Sequence, residues 1–159
     1  MTALIVVCIV ISLMCSALWI MPPERERQRM ALRVQARPLK LSVQLTSIEL
    51  PDKWDKSTSR KKTVGYFYHR PKANKKISKS IWLLPYEVWK YRSVAQGWWC
   101  SDDINLSEVS KNKLERHAAL LSGVKISSES VSFYWDEEGG EQDLNSLAEL
   151  VFELAELNG

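Results

Sequence analysis

Side chains that could carry out acid–base or metal chemistry are few in this sequence. Of its two histidines, His69 lies among basic and aromatic residues, and His117 falls on the apolar stripe of a predicted helix. We therefore expect His69 at the surface and His117 in the core or at its boundary. Two acidic clusters, at 102–103 and 136–138, lack the spacing of a calcium-binding loop, so we expect solvated turns there.

Sequence motifs of catalysis and nucleotide binding are absent. The chain has no His-x-x-Glu-His, Gly-x-Ser-x-Gly, Walker or dinucleotide-binding glycine pattern, and its six glycines leave few positions for a phosphate-binding loop. The three cysteines show neither metal-ligand spacing nor a disulfide framework. These features predict a protein that is not an enzyme and that requires no metal or other cofactor.

Aromatic residues offer two routes to binding. Tyr66, Phe67 and Tyr68 stand within the basic stretch 60–79, where they belong either to the core or to a stacking platform for nucleic acid. Because the stretch lacks the RNA-recognition signature, nucleic acid is not the partner we expect. Trp98 and Trp99 would mark a protein contact if both rings are exposed, since tryptophan is enriched at interaction hot spots.

The first 21 residues form a predicted transmembrane anchor. Residues 3–21 contain no charge, and as a helix they would extend about 28 Å, close to the roughly 30 Å thickness of a bilayer's hydrocarbon core. Trp19 suits the headgroup layer, and Pro22-Pro23 would end the helix.

Other interpretations of this segment fit less well. A cleaved signal peptide would have a basic start and a shorter apolar stretch, and a lipoprotein signal would have small residues before its cysteine, whereas Leu13-Met14 precede Cys15. A buried core helix is a poor fit as well, because a domain this small could hardly bury an all-apolar helix of this length on every face. One face of the predicted anchor carries small residues, namely Cys8, Ser12, Cys15 and Ser16. They would pack against another membrane helix, although small residues are also common in helices that have no partner.

Basic residues follow the anchor at once. Within about 20 residues of it, the window of the positive-inside bias, lie Arg25, Arg27, Arg29, Arg33, Arg37 and Lys40, and a second group is Arg60, Lys61 and Lys62. The bias predicts that the N-terminus lies outside and that the C-terminal domain lies in the cytoplasm. Residues 24–79 carry 16 Lys and Arg against 5 Asp and Glu, a net +11, while residues 80–159 carry a net −8. We expect the basic half to contact anionic lipid headgroups, although each basic run could instead be a solvated loop.

The rest of the chain divides into a basic juxtamembrane helix or connector at 22–38 and a cytoplasmic domain at 39–159. The connector has a thin apolar stripe, Met30 and Val34, which predicts a solvated or membrane-skimming spacer. Strand patterns occur at 41–50, 64–68, 80–84, 124–126 and 131–135, and helical patterns run from Asn105 to Gly123 and from Gly139-Gly140 to the C-terminus. Strands grouped before a helix predict an α+β fold, with a small, mainly antiparallel sheet packed with two helices.

This layout resembles that of small bacterial single-pass inner-membrane proteins of uncharacterised function, and in layout only it is similar to the accessory subunit of the preprotein translocase. The likeness involves residues 1–40 and, more loosely, the strand at 131–135 with its following Gly-Gly and leucine-lined helix. It implies an accessory protein and transfers no functional residue. We therefore predict a non-enzymatic accessory or scaffold subunit of a membrane complex. The alternative is a membrane-tethered binder of anionic lipid or nucleic acid through residues 24–79.

Overall fold

The computed structural model describes residues 1–21, 23–52 and 57–157. Outside the described residues lie Pro22, residues 53–56 between the strands predicted at 41–50 and 64–68, and residues 158–159 at the end of the last predicted helix. The helices are α1 (Thr2–Ile20), α2 (Glu24–Ala36), α3 (Glu108–His117) and α4 (Glu141–Leu157). The strands are β1 (Ser42–Pro51), β2 (Thr58–His69), β3 (Ile81–Leu84), β4 (Arg92–Ala95), β5 (Trp98–Cys100), β6 (Leu121–Ile126) and β7 (Ser130–Trp135).

The seven strands form one sheet in the order β1-β2-β7-β6-β3-β5-β4, and every neighbouring pair is antiparallel. The predicted α+β class and antiparallel sheet are confirmed. The longest ladder joins β1 to β2, where Ser42 pairs with Phe67 and Pro51 pairs with Thr58. Gly97 turns the chain between β4 and β5 with a φ of 77°, a conformation that favours glycine.

The core lies between the sheet and the helices that follow α1. Apolar side chains recur along α4 at helical spacing, and Leu144, Leu147 and Leu154 are fully buried there with Phe133 and Trp135 of β7. Neighbouring strand residues point to opposite faces of the sheet, so a second aromatic cluster forms on the other side. This cluster joins Tyr134 to Phe67 and Trp82 at ring distances of 5.9 and 5.7 Å.

The helix α2, which we call the stem helix because it follows α1 almost directly, is part of this core. Leu32 is 2% exposed and Ala36 is fully buried, and both belong to the same cluster as the sheet residues. The prediction of a solvated or membrane-skimming spacer is therefore wrong, and three helices rather than two pack on the sheet. Met30 and Val34, which formed the predicted stripe, are exposed instead.

The region around α3 differs from its prediction at both ends. Ser107, and not Asn105, caps the helix, because its hydroxyl accepts a hydrogen bond from the Ser110 backbone N–H at 3.2 Å. The helix ends at His117, and Gly123 lies inside β6 instead of capping the helix. Pairing of β6 with β7 begins at Leu121, so tertiary contacts override the local helical pattern.

The helix α1 is long and apolar enough to cross a membrane, judged by its length and composition. None of its residues is buried against the rest of the described chain, and Leu4, Leu13 and Leu18 all project fully outward. The alternative of a buried core helix is thereby excluded for this conformation.

Candidate binding surfaces around the stem helix

A buried carboxylate fastens the stem helix to the sheet. The Glu137 side chain is only 1% exposed, and Arg33 donates two hydrogen bonds to it, from Nε at 3.0 Å and from Nη2 at 2.7 Å. The Tyr66 hydroxyl donates a third bond to the same carboxylate at 2.8 Å. The stem helix, β2 and the turn after β7 therefore meet at one carboxylate, an arrangement that we call the stem clamp.

The backbone at Glu137 adopts a conformation that a residue with a side chain rarely takes. Its φ is +57°, in the left-handed region, which costs about 1 kcal/mol or more outside glycine. This turn aims the carboxylate inward, while Asp136 and Glu138 on either side are exposed. The three hydrogen bonds of the stem clamp offset the backbone strain.

The electrostatics of the stem clamp favour a structural role over acid–base chemistry. The hydrogen bond to Glu137 raises the pKa of Arg33 above its ordinary value. Burial, together with the hydrogen bond to Glu137, raises the pKa of Tyr66 well above its ordinary value, so the phenol stays protonated. Within the clamp, Arg33 therefore stays charged and Tyr66 stays a neutral donor.

The acidic cluster at 136–138 also binds two other basic residues from the first half of the chain. Arg25 forms an ion pair with Glu138 at 2.9 Å, and Lys61 lies 3.6 Å from Asp136. Both pairs are exposed, so each contributes little to stability. We expected solvated carboxylates here, but the cluster serves as the counter-charge for the stem helix and for β2.

The predicted contacts to an anionic surface therefore divide into two groups. Arg25, Arg33 and Lys61 are paired within the protein, as described above. The other six form no ion pair with any described residue: Arg27, Arg29, Arg37, Lys40, Arg60 and Lys62. The Arg60 Nε donates to the Ser47 hydroxyl at 3.1 Å, and the Arg29 Nε is buried without a hydrogen-bond partner among the described residues.

The two tryptophans predicted to mark a protein contact are not exposed together. Trp98 is fully buried, and its indole N–H donates to the Leu114 carbonyl at 2.7 Å. That carbonyl lies in the last turn of α3, where backbone acceptors lack partners within the helix. Trp99 is half-buried beside it. The condition for a protein contact at this pair, exposure of both rings, is therefore not met, because Trp98 belongs to the core.

The small-residue face of α1 is open. Cys8, Ser12, Cys15 and Ser16 are all exposed, and the Ser16 hydroxyl donates to the Ser12 carbonyl one turn earlier at 3.0 Å. This bond satisfies the hydroxyl within its own helix. The face is left small and nearly apolar, as close approach of another helix requires.

A cleft of about 820 Å³ opens where the end of the stem helix, the loop after β2 and the end of α4 meet. Its wall is mainly apolar and includes Leu39, Tyr68, Phe152 and Ala155. Cationic side chains surround that wall: Lys40, Arg70, Lys72, Lys75 and Lys76. We call this site the basic cleft.

Two residues of the lining of the basic cleft carry donors without partners. The Arg70 Nη1 donates to the Ala155 carbonyl at 2.8 Å, but its Nε and Nη2 are buried and have no hydrogen-bond partner among the described residues. The Asn74 Nδ2, four residues along the same loop, is in the same situation. Burial lowers the pKa of Arg70 from its ordinary value. Buried donors are normally paired, so this concentration in one place is unusual.

The loop that carries these donors is held in place by its backbone. The Arg70 N–H donates to the Glu129 carbonyl at 2.8 Å, and the Asn74 N–H donates to the Ser128 carbonyl at 2.8 Å. Sequence patterns placed this stretch in a basic loop and did not single out either residue. The one sequence feature that could have drawn attention to Arg70 is its position directly before Pro71. A following proline restricts the arginine backbone to extended conformations.

His117 is 2% exposed, as predicted for a core or boundary residue. Its Nε2 lies 3.1 Å from the Ser146 hydroxyl and its Nδ1 lies 3.6 Å from an Asp143 carboxylate oxygen. His69 is exposed, also as predicted. Within residues 1–21, 23–52 and 57–157, no group of three or more His, Cys, Asp or Glu side chains could hold a metal ion.

Burial of His117 makes the stability of the protein depend on pH. Burial lowers its pKa below the ordinary value, so between that lowered pKa and about 6.5 the unfolded chain binds a proton that the folded chain does not. We expect the free energy of unfolding to fall as the pH drops below about 6.5. The His117→Gln variant should show a smaller decrease. Urea unfolding above and below that pH tests this, and an equal pH dependence in both proteins would contradict it.

Comparisons of the chain with models of protein families, with curated proteins and with solved structures found no match.

Proposed function

We propose that the protein is a non-enzymatic, single-pass accessory or scaffold subunit of a membrane protein complex. In this proposal α1 spans a bacterial inner membrane, and the folded domain lies on its cytoplasmic side, where those basic residues of the first half of the chain that form no ion pair face anionic headgroups.

One observation carries the proposal: the residues that follow the apolar helix are built into the folded domain. Leu32 and Ala36 of the stem helix lie in the core, and Arg33 is held by Glu137 through two hydrogen bonds. The folded domain therefore begins within four residues of the end of α1, so no long tether separates the two. A short link of this kind suits a subunit that presents its surface close to the bilayer.

Membrane insertion and orientation are tested by fractionation and protease protection. The full-length protein should stay in the membrane pellet after extraction with alkaline carbonate. Protease added outside intact cells or spheroplasts should leave the C-terminal domain uncut, and it should cut the domain once the membrane is disrupted and the cytoplasmic side becomes accessible. Mass spectrometry of the purified protein should find residues 1–21 present. A mature chain that lacks them, or a domain that is cut from outside, would contradict the proposal.

The small-residue face of α1 supports the proposal that a partner helix packs against it in the membrane. We expect the double variant Ser12→Leu/Ser16→Leu to lose about tenfold in recovery of the complex, because two large side chains would separate the helices. The matched control is Ala17→Leu, which enlarges a side chain on the opposite face. Native gel electrophoresis in a mild neutral detergent measures both.

A subunit of a complex should migrate above the size of its monomer in that gel. If the wild-type protein runs as a monomer and no partner is recovered from native membranes, the accessory role is wrong. Equal losses in the control and in the double variant would show that the effect comes from altered insertion instead of helix packing.

A second candidate function is binding of anionic lipid or nucleic acid through residues 24–79. It is supported by the six cations that form no ion pair with a described residue. A suitable fragment starts at Pro23, since α1 contributes no buried residue, whereas a fragment starting at residue 39 would lose Leu32 and Ala36 from the core. Binding to acidic vesicles or to nucleic acid should weaken steeply with salt, and salt-insensitive binding would exclude this function.

A further inference from the structure

The basic cleft combines an apolar wall, unpaired donors and an excess of positive charge. We propose that it binds the headgroup and adjoining acyl chain of an anionic phospholipid whose headgroup carries more than one negative charge. This inference deepens the proposed function and depends on it, because a membrane-anchored domain has bilayer lipid within reach.

Charge in the basic cleft argues for a headgroup with more than one negative charge. Five cationic side chains line it, and Glu156 is the only acidic residue among the described residues of the lining. A single carboxylate, as in a fatty acid, would leave most of this positive charge uncompensated. Basic pockets beside membranes take up headgroups with two phosphates for the same reason.

The unpaired donors of the cleft lining argue for phosphate oxygens. The guanidinium of Arg70 uses Nη1 to bind Ala155, which leaves Nε and Nη2 without an acceptor. The planar edge formed by these two nitrogens matches the spacing of two oxygens on one phosphate. Asn74 offers a further unpaired donor from the same loop.

The apolar wall argues for a lipid over a free anion or a nucleic acid. Leu39, Phe152 and Ala155 present hydrocarbon to the cleft, and the Tyr68 ring is packed edge-on against Phe152 at 4.9 Å. A phosphate ion alone would leave this surface exposed to water. An acyl chain would cover it, and its burial would add to the binding free energy of the headgroup.

Native mass spectrometry tests the proposal on the full-length protein. The protein is released from neutral-detergent micelles that contain equal amounts of cardiolipin, phosphatidylglycerol and phosphatidylcholine. We expect preferential retention of cardiolipin, the probe with two phosphates. Arg70→Gln should reduce that retention about tenfold, while the matched control Arg92→Gln, at an exposed arginine of β4, should leave it unchanged.

A second variant keeps the charge and fills the cleft. Ala73→Trp places a large ring at an exposed position of the lining, and it should lower cardiolipin retention as strongly as Arg70→Gln. It remains informative if Arg70→Gln fails to fold, which near-ultraviolet circular dichroism would reveal.

Three results would overturn the proposal: equal retention of the three lipids, unchanged retention in Ala73→Trp, or the same loss in Arg92→Gln as in Arg70→Gln. Displacement of cardiolipin by an equal concentration of inorganic phosphate or oleate would also overturn it, since the site would then take a free anion. These failures differ from that of the proposed function. A chain that stays in the carbonate-washed membrane but retains no cardiolipin would lose only the cleft proposal.

Discussion

Replacing Glu137 by Gln is expected to lower the free energy of unfolding by about 3 kcal/mol, because it removes the charge that Arg33 and Tyr66 share. Glutamine has almost the same volume as glutamate, so packing is kept. Its amide would direct an NH2 group toward the donors of Arg33 and Tyr66, which have no other acceptor among the described residues. Breaking one side of a buried ion pair costs about 3–5 kcal/mol, and the lower value applies because the Arg33 side chain is 35% exposed.

The matched control is Glu138→Gln, the same chemical change one residue further along. Its ion pair with Arg25 is exposed on both sides, so we expect a loss of about 0.5 kcal/mol or less. Urea unfolding of the full-length protein in a neutral detergent, followed by tryptophan fluorescence, measures both variants. Losses of equal size would contradict the assignment of the stem clamp.

A local readout separates the stem clamp from general destabilisation. If Glu137 fastens the stem helix to the sheet, Glu137→Gln should open the helix first, and trypsin should then cut after Arg29 and Arg33 faster than in the rest of the domain. The double variant Arg33→Met/Glu137→Gln should be more stable than the sum of the single losses predicts, because no charge is left unpaired. Additive losses would show that the two residues act independently.

Replacing Trp98 by Ala is expected to lower the free energy of unfolding by about 4 kcal/mol, which would leave little of a typical domain's stability. The side chain is fully buried, so its removal creates a large cavity in the core. It also leaves the Leu114 carbonyl, at the end of α3, without its 2.7 Å hydrogen bond. Both effects act on the same region, where β5 meets the helix.

The neighbouring tryptophan provides the control. Trp99 is half-buried on the other face of β5, so Trp99→Ala should cost about 1–2 kcal/mol by lost apolar burial. Chemical unfolding, with circular dichroism as the signal, compares the two variants. If Trp98→Ala keeps wild-type stability and instead loses a binding partner, Trp98 is an interaction residue and the burial described here is wrong.

Local patterns predicted several elements well. Alternating apolar residues at 41–50 and 131–135 and the leucine stripe of the last helix correspond to β1, β7 and α4. These segments have strong periodicity over their own length, and burial of one face of each is what packs the domain. The uncharged run at the N-terminus is likewise a local property, and α1 follows it almost residue for residue.

The residues of the stem clamp could not be found in this way. Arg33 and Glu137 are 104 residues apart in sequence, and each belongs to a run of like charges that local reasoning treats as solvated. Nothing in the run Asp136-Glu137-Glu138 distinguishes its middle member. Its inward direction comes from a left-handed backbone in the turn between β7 and α4.

By itself the sequence determined the apolar helix, the polarity of charge between the two halves, and an antiparallel α+β domain, because composition and hydrophobic period act over short stretches of chain. Only the tertiary structure decided that the stem helix belongs to the core and that acidic and basic residues neutralise each other around Glu137. It also decided that two nitrogens of Arg70 lie without partners among the described residues of the basic cleft. The physical reason is the same in each case. Whether a charged side chain is solvated, paired or left without a partner depends on which distant segment folds against it.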